Sequence, residues 1–206
     1  MSPAAVGIKR TAGRVFVISG PSGSGKTTVV VRLRQRIPRL VRSISVTTRA
    51  PRAGEREGRD YHFISVAQFQ RMRRGGQLLE WAAVHGSSYG TPKAPILQAL
   101  VRERDVVLSI DVQGARTIRR LLGTQAVLVF LLPPSPERLR QRLMRRRTEP
   151  PSAIRQRMAA ARREVACARW YDYRVVNDRL DHTVRRIGTI IAAHHERGRR
   201  DGTTAH

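Results

Sequence analysis

Gly20-Pro21-Ser22-Gly23-Ser24-Gly25-Lys26-Thr27 satisfies the phosphate-loop pattern G-x-x-x-x-G-K-[ST] at every position. Residues 14–19 ahead of it read as a short buried strand, and residues 28–34 behind it can open a helix. A chance glycine- and serine-rich turn would lack that strand–loop–helix setting. Glycines let consecutive N–H groups curl toward one phosphate, and the helix start adds partial positive charge. Lys26 then reaches the β- and γ-phosphates, and the Thr27 hydroxyl can ligate Mg²⁺. Residues 20–27, with Thr28 beside them, are the expected nucleoside triphosphate site.

At 206 residues with 40% hydrophobic content, the chain is long enough for one domain with a real core. Its charge is unusual. Lys and Arg total 40 against 15 acidic residues, a net +25, and all but Lys9, Lys26 and Lys93 of those cations are arginine. Guanidinium forks suit phosphate-rich ligands, because each can hydrogen-bond two oxygens. An arginine-biased composition or a polyanionic partner must account for the rest, and charge alone leaves nucleic acid open. The low aromatic content, 5%, argues against RNA bound by base stacking. A single cysteine, Cys167, allows no intrachain disulfide and points to a reducing compartment. It reads as helix core. No signal peptide or membrane span is evident, so the expectation is a cytoplasmic protein, monomeric or homodimeric. The six histidines show no metal-ligand spacing.

Apolar runs alternate with helical periodicity, which predicts an α/β fold with a parallel core sheet flanked by helices. Strands are expected at 14–19, 43–46, 78–84, 105–110, 126–132 and 174–177. Helices are expected after the phosphate loop and at 92–104, 112–122, 135–146, 152–169 and 181–195. Ser135-Pro136-Glu137 supplies a capping serine, a proline at the first helical position and an acid in the first turn. Residues 49–91 look like an insertion with short strands and one helix. Residues 145–152 look like a basic mobile loop, and 1–12 and 197–206 like disordered ends.

A second constellation is more specific than the loop. Ser43-Ile44-Ser45-Val46-Thr47-Thr48-Arg49-Ala50-Pro51-Arg52-Ala53-Gly54-Glu55 leads through Gly58 to Asp60-Tyr61-His62-Phe63. Then follow Leu79-Glu80-Trp81, Tyr89-Gly90-Thr91, Ile110-Asp111-Val112-Gln113-Gly114, Pro133-Pro134-Ser135, Thr148-Glu149 and Val176-Asn177-Asp178. With the phosphate loop, this series closely resembles the guanylate kinase family over about residues 14–195. The resemblance implies a phosphate-loop kinase with a core of 13–42, 92–134 and 170–196. It adds an inserted mixed α+β GMP-binding region at 43–91 and a helical lid at 135–169. It also implies transfer of the ATP γ-phosphoryl group to GMP or dGMP with Mg²⁺.

The residue chemistry agrees. Arg49 and Arg52 can grip a dianionic phosphate from two directions, and Tyr61 and Tyr89 are the family's phenolic donors to the same oxygens. Glu80 matches the guanine-reading glutamate, because a carboxylate accepts from N1–H and N2–H together. Asp111 adds an acceptor, and Ser45 and Thr91 can donate to O6. Arg146 and Arg157 match lid arginines that close over the triphosphate. Arg142 and Asn177 match groups near the adenine. Phe63, Phe69, Trp81 and Trp170 are assigned to packing.

Three positions depart from the family pattern. Ser109 stands where an acid usually helps hold Mg²⁺ and its waters. Arg145 and Arg147 replace two lid glycines, which stiffens the hinge. These departures keep open a related kinase of a phosphorylated sugar, such as ribose bisphosphate, or a catalytically weak binding module.

Overall fold

A computed structural model of the protein describes residues 13–84, 86–144 and 151–203. The first strand dictates the layering. Every residue of β1 (Val15–Ser19) is buried, so both faces must find apolar cover. Val15 and Val17 pack with α3 (Lys93–Val101) and α4 (Val112–Leu122). Phe16 and Ile18 pack with α1 (Lys26–Arg36) and α7 (Leu180–Thr203). β8 (Ala126–Leu132) splits the same way: Ala126, Leu128 and Phe130 face the first layer, Val127, Val129 and Leu131 the second. The period of two is the strand geometry itself.

The main sheet has the order β2-β7-β1-β8-β9, with β2 (Val41–Arg42), β7 (Val106–Ser109) and β9 (Tyr173–Val176). All four pairings are parallel. This is the helix-flanked parallel sheet that the sequence predicts. A second sheet, β4-β3-β6-β5, comprises β3 (Val46–Thr47), β4 (His62–Phe63), β5 (Leu78–Val84) and β6 (Ser87–Pro92). Helix α2 (Val66–Arg74) precedes β5 and opens on a reciprocal Ser65–Gln68 capping box. Helix α5 (Pro136–Met144) starts as expected, with Ser135 Oγ accepting from Arg138 N–H at 3.2 Å. Helix α6 (Pro151–Ala166) passes through a 3₁₀ turn, Cys167–Trp170, into β9.

Several expectations change. The single strand expected at 43–46 is two strands in two sheets. Val41 and Ser43 donate to β7 through Asp105 O and Val107 O, and two residues later Ser45 O accepts from His62 N–H. One extended segment thus leaves one sheet and joins the other, which a local pattern cannot distinguish from a continuous strand. Helix α3 stops at Val101, short of 104. Glu103 takes φ 54° without being glycine, and Arg104 N–H turns back to Ala99 O. Helix α7 continues to Thr203, past the end expected at 195 and into the tail expected to be disordered, and no proline follows Pro151 to stop it. Cys167 lies half-buried in the 3₁₀ turn and not in a helix core. Trp81 is 47% exposed and carries the Arg73 guanidinium 4.8 Å above its ring, whereas Phe69 is buried as assigned. Residues 1–12 and residues 145–150 of the expected basic loop lie outside the described residues, whereas Pro151 and Ser152, expected in that loop, open α6. Among the described residues no helix is long and apolar enough to cross a membrane.

Asp105 ties the sheet's lower edge to α7. Its carboxylate, 1% exposed, accepts from Arg14 N–H at 2.9 Å and pairs with His195 Nδ1 at 3.0 Å. Replacing it with alanine removes the acceptor that both donors share, which costs about 3 kcal/mol. Asp105→Ala is expected to lower the urea midpoint at unchanged slope. A midpoint equal to wild type would remove the clamp role.

Candidate active site

The phosphate loop sits between β1 and α1 at the carboxyl edge of the main sheet, where open α/β sheets bind ligands. Two glycines there are obligatory. Gly20 has φ +147°, and a Cβ would stand 2.3 Å from Leu131 O. Gly25 has φ +96°, and its Cβ would stand 2.4 Å from Asn177 Nδ2. The carbonyls of the loop are met from several sides. Lys26 Nζ donates to Gly20 O at 2.6 Å and Pro21 O at 3.2 Å. Asn177 Nδ2 donates to Ser24 O at 2.7 Å, and Arg142 donates to Ser24 O at 3.4 Å and to Asn177 O at 3.2 Å. Arg142 and Asn177, expected beside the adenine, therefore hold the loop from outside in this structure. Asn177 is buried, with its amide nitrogen committed to Ser24. Thr27 and Thr28 are exposed on the first turn of α1 and line an open cavity with Gly23 and Gly25.

A second cavity adjoins the first. Both are lined by Ser22, Lys26, Arg52, Tyr61 and Ser109, so the two form one cleft. The second runs on to Ser45, Arg49, Glu80, Tyr89 and Asp111. Strand pairing accounts for this gathering. β3 lies against β6, which sets Thr47 opposite Tyr89, and β5 lies against β6, which sets Glu80 opposite Thr91. Arg49 Nε donates to the Tyr89 hydroxyl at 3.1 Å, and Nη2 meets both Glu55 oxygens at 2.9 Å. Its guanidinium stands 5.6 Å from the Tyr61 ring centroid. Glu55 also accepts from Arg52 N–H at 2.8 Å. Glu55 thus preorganises both arginines, a role that sequence reasoning missed although it quoted Glu55 in the motif.

Thr91 is fully buried behind Glu80, and its hydroxyl donates to Glu80 Oε1. It is a partner of the glutamate in this structure, not a free donor. Asp111 uses Oδ1 to cap α4, accepting from Gln113 N–H and Gly114 N–H at 2.8 Å each. That cap brings Gly114 against Glu80, where a Cβ would stand 2.4 Å from Oε2. From α6, Arg157 Nη1 donates to Ser22 Oγ at 3.4 Å. Glu164, about two turns further along α6, lines the same cavity; sequence reasoning missed it too, though its spacing from Arg157 placed both on one helix face. Arg146 lies outside the described residues.

Burial sets the electrostatics. It pushes the Tyr61 phenol up, which keeps it a neutral donor. Burial also pushes the Glu80 carboxyl up to about 7, with Thr91 opposing and Asp111 adding to the rise. In the unfolded chain this proton leaves near the ordinary value of about 4.5. The folded state holds it longer, so the stability this group confers is full below about 4.5 and is lost as pH climbs to 7. Glu80→Gln removes that slope. The variant is expected to gain about 2–3 kcal/mol relative to wild type between pH 5 and pH 8. Melting temperatures of both proteins at the two pH values provide the check, and a constant difference would contradict a buried, perturbed Glu80.

Comparison with known proteins agrees with this geometry. The guanylate kinase family profile matches residues 12–194. A guanylate kinase from Oleidesulfovibrio alaskensis is 48% identical over 174 residues, 84% of each chain. One from Carboxydothermus hydrogenoformans is 44% identical over 181 residues, 88% of each chain. Among solved structures, a guanylate kinase from Anaplasma phagocytophilum superposes with a TM-score of 0.76 at 33% identity, covering 90% of this chain and 88% of that one. With the family's profile spanning the sheet, the phosphate loop and the carboxylate floor alike, the chain belongs to the guanylate kinase family.

Proposed function

We propose that this protein transfers the γ-phosphoryl group of ATP to GMP or dGMP, giving ADP and the guanosine diphosphate. The observation that carries this reading is the cleft floor, where Glu80 and Asp111 share a cavity with the loop lysine. Guanine offers N1–H and N2–H side by side, and one carboxylate accepts both, whereas adenine has no such pair. A sugar phosphate would leave that buried carboxylate unmet.

Residues 43–91 form the GMP-binding region in this reading, 135–169 the lid, and the remainder the core. Arg49 and Arg52 take the acceptor phosphate, with Tyr61 and Tyr89 donating to its oxygens. Glu80 reads the guanine, Thr91 steadies Glu80, and Ser45 and Asp111 complete the base site. In this reading Lys26 and Arg157 serve the transferred group, whose charge spreads in the transition state, and Arg146 is assigned to it by its place in the sequence motif. The attacking phosphate oxygen is already an anion, so no general base is needed. Closure of α6 over the cleft excludes water. The Thr27 hydroxyl is an oxygen donor facing the triphosphate cavity, which fits Mg²⁺, an ion that keeps waters and phosphate oxygens and takes few protein ligands. Held there, Mg²⁺ would supply positive charge to the phosphates of the nucleotide. The single cysteine suits a reducing cytoplasm.

Lys26→Ala is expected to lower turnover at least about 100-fold, with GMP binding by calorimetry little changed. Retention of a tenth of wild-type turnover would sink the loop assignment. Glu80→Gln turns an amide donor toward a guanine donor, a buried mismatch of roughly 1–3 kcal/mol. A coupled assay of ADP formation should then show kcat/KM for GMP falling about 5- to 150-fold, while AMP gains on it. Unchanged GMP kinetics would move the base site elsewhere.

A further inference from the structure

Three of the carboxylates in this cleft already have protein partners. Glu80 accepts from Thr91, Glu55 serves Arg49 and Arg52, and Asp111 caps α4. Glu164 is different. Among the described residues its carboxylate accepts no hydrogen bond, yet it is half-buried in the cavity lined by Lys26, Ser109 and Asp111. Burial pushes its carboxyl up, Lys26 pulls it down and Asp111 adds to the rise. A desolvated carboxylate without donors is unfavourable. In a cleft built for two phosphate-bearing substrates it also repels what must bind. Such a group needs a cation, and Lys26 is already engaged with Gly20 O and Pro21 O.

The end of the neighbouring strand indicates which cation. Phosphate-loop enzymes hold Mg²⁺ with the loop hydroxyl and an aspartate from a neighbouring strand. Here β7, the parallel neighbour of β1, ends at Ser109, and Ser109 lines both cavities with only a hydroxyl. An uncharged strand end and a carboxylate that accepts no hydrogen bond among the described residues thus line one cavity.

We propose that Glu164 orients the water shell of the nucleotide-bound Mg²⁺, supplying from α6 the negative charge that Ser109 lacks. The inference rests on the ATP-dependent reading above. Glu164 is a positioning residue, because it acts through the metal's waters as outer-shell partners do. Its placement has a mechanical consequence. Arg157 lies about two turns earlier on the same face of α6, so one helix carries a cation toward the phosphates and an anion toward the metal.

Mn²⁺ binding to the ADP complex of the full-length protein, read from the free-ion EPR signal, reports metal retention without turnover. Glu164→Gln is expected to weaken Mn²⁺ affinity about 10-fold or more, with metal-free ADP binding unchanged. Ser109→Asp, added to Glu164→Gln, should recover most of that affinity. It should also return the Mg²⁺ concentration for half-maximal rate toward wild type. An unmoved Mn²⁺ titration in the single variant overturns the proposal, and so does a double variant no better than the single. Weakened ADP binding without metal overturns it as well, because Glu164 would then act on the fold or on Lys26. If the unaltered protein binds Mn²⁺ and ADP but does not phosphorylate GMP, the functional reading fails and the metal assignment stands.

Discussion

A loop that turns its N–H groups inward to cradle phosphate must turn carbonyls outward, and much of this structure answers that demand. Gly20 O and Pro21 O take the Lys26 ammonium, and Ser24 O takes the Asn177 amide and the Arg142 guanidinium. These donors come from α1, from the turn after β9 and from α5, so the loop is fixed only when the last parallel strand has docked. The close approach of Gly25 to Asn177 is the other side of the same constraint: the supporting amide can reach Ser24 O only if position 25 has no side chain. The loop is thereby held by the fold itself near the shape its ligand requires, which lowers the ordering cost of binding.

The opposite wall shows the reverse bargain. Glu80 is buried, its proton affinity is raised and its compensation is thin: one hydroxyl from Thr91 and the amino end of α4 at Gly114. A site built for stability would replace such a residue with a hydrocarbon. Retaining it is consistent with a partner that arrives from solution with two adjacent donors, and the same logic extends to Glu164, for which the arriving partner is a cation. In both cases the unfavourable burial becomes the discriminating interaction once the correct ligand binds.

What could be read from the sequence was whatever depends on local order. The loop, the alternation of β1 and β8, the Ser135 cap and the acceptor-side motif all state their roles within a few residues of chain. Three things were not legible, each because it depends on residues far apart. The segment 41–47 divides between two sheets because β7 and β4 compete for its hydrogen bonds. Asn177 and Arg142 support the loop because the fold places them beside Ser24, although nothing nearby in sequence marks them as structural. Glu164 belongs to the cleft because α6 lies across it, while its neighbours Arg163 and Val165 are exposed. Trp81 fails differently. Its position in a strand suggests core, but the half-covered sheet leaves that face to solvent and to Arg73.

The arginine excess gains meaning from this distribution. Among the described residues a few guanidinium groups face the cleft, and others are built into the framework. Arg14 reaches His194 O and Thr124 O, joining α7 to the turn before β8. Arg119 pairs with Asp172, whose carboxylate also accepts from Leu128 N–H, and Arg116 covers the Trp170 ring. A planar fork with several donors can satisfy carbonyls and cover aromatic faces that a lysine's point charge serves poorly. Many arginines here therefore act as long-range hydrogen-bond donors between elements, and net charge overstates how much of the surface is arranged for an anionic partner. The cleft is distinguished by how its few cations are held. Arg49 is fixed by Glu55 and Tyr89, Arg142 by the loop and Asn177, and Lys26 by two carbonyls. Preorganised charge of that kind stabilises a developing phosphoryl transition state far more than a larger number of mobile side chains.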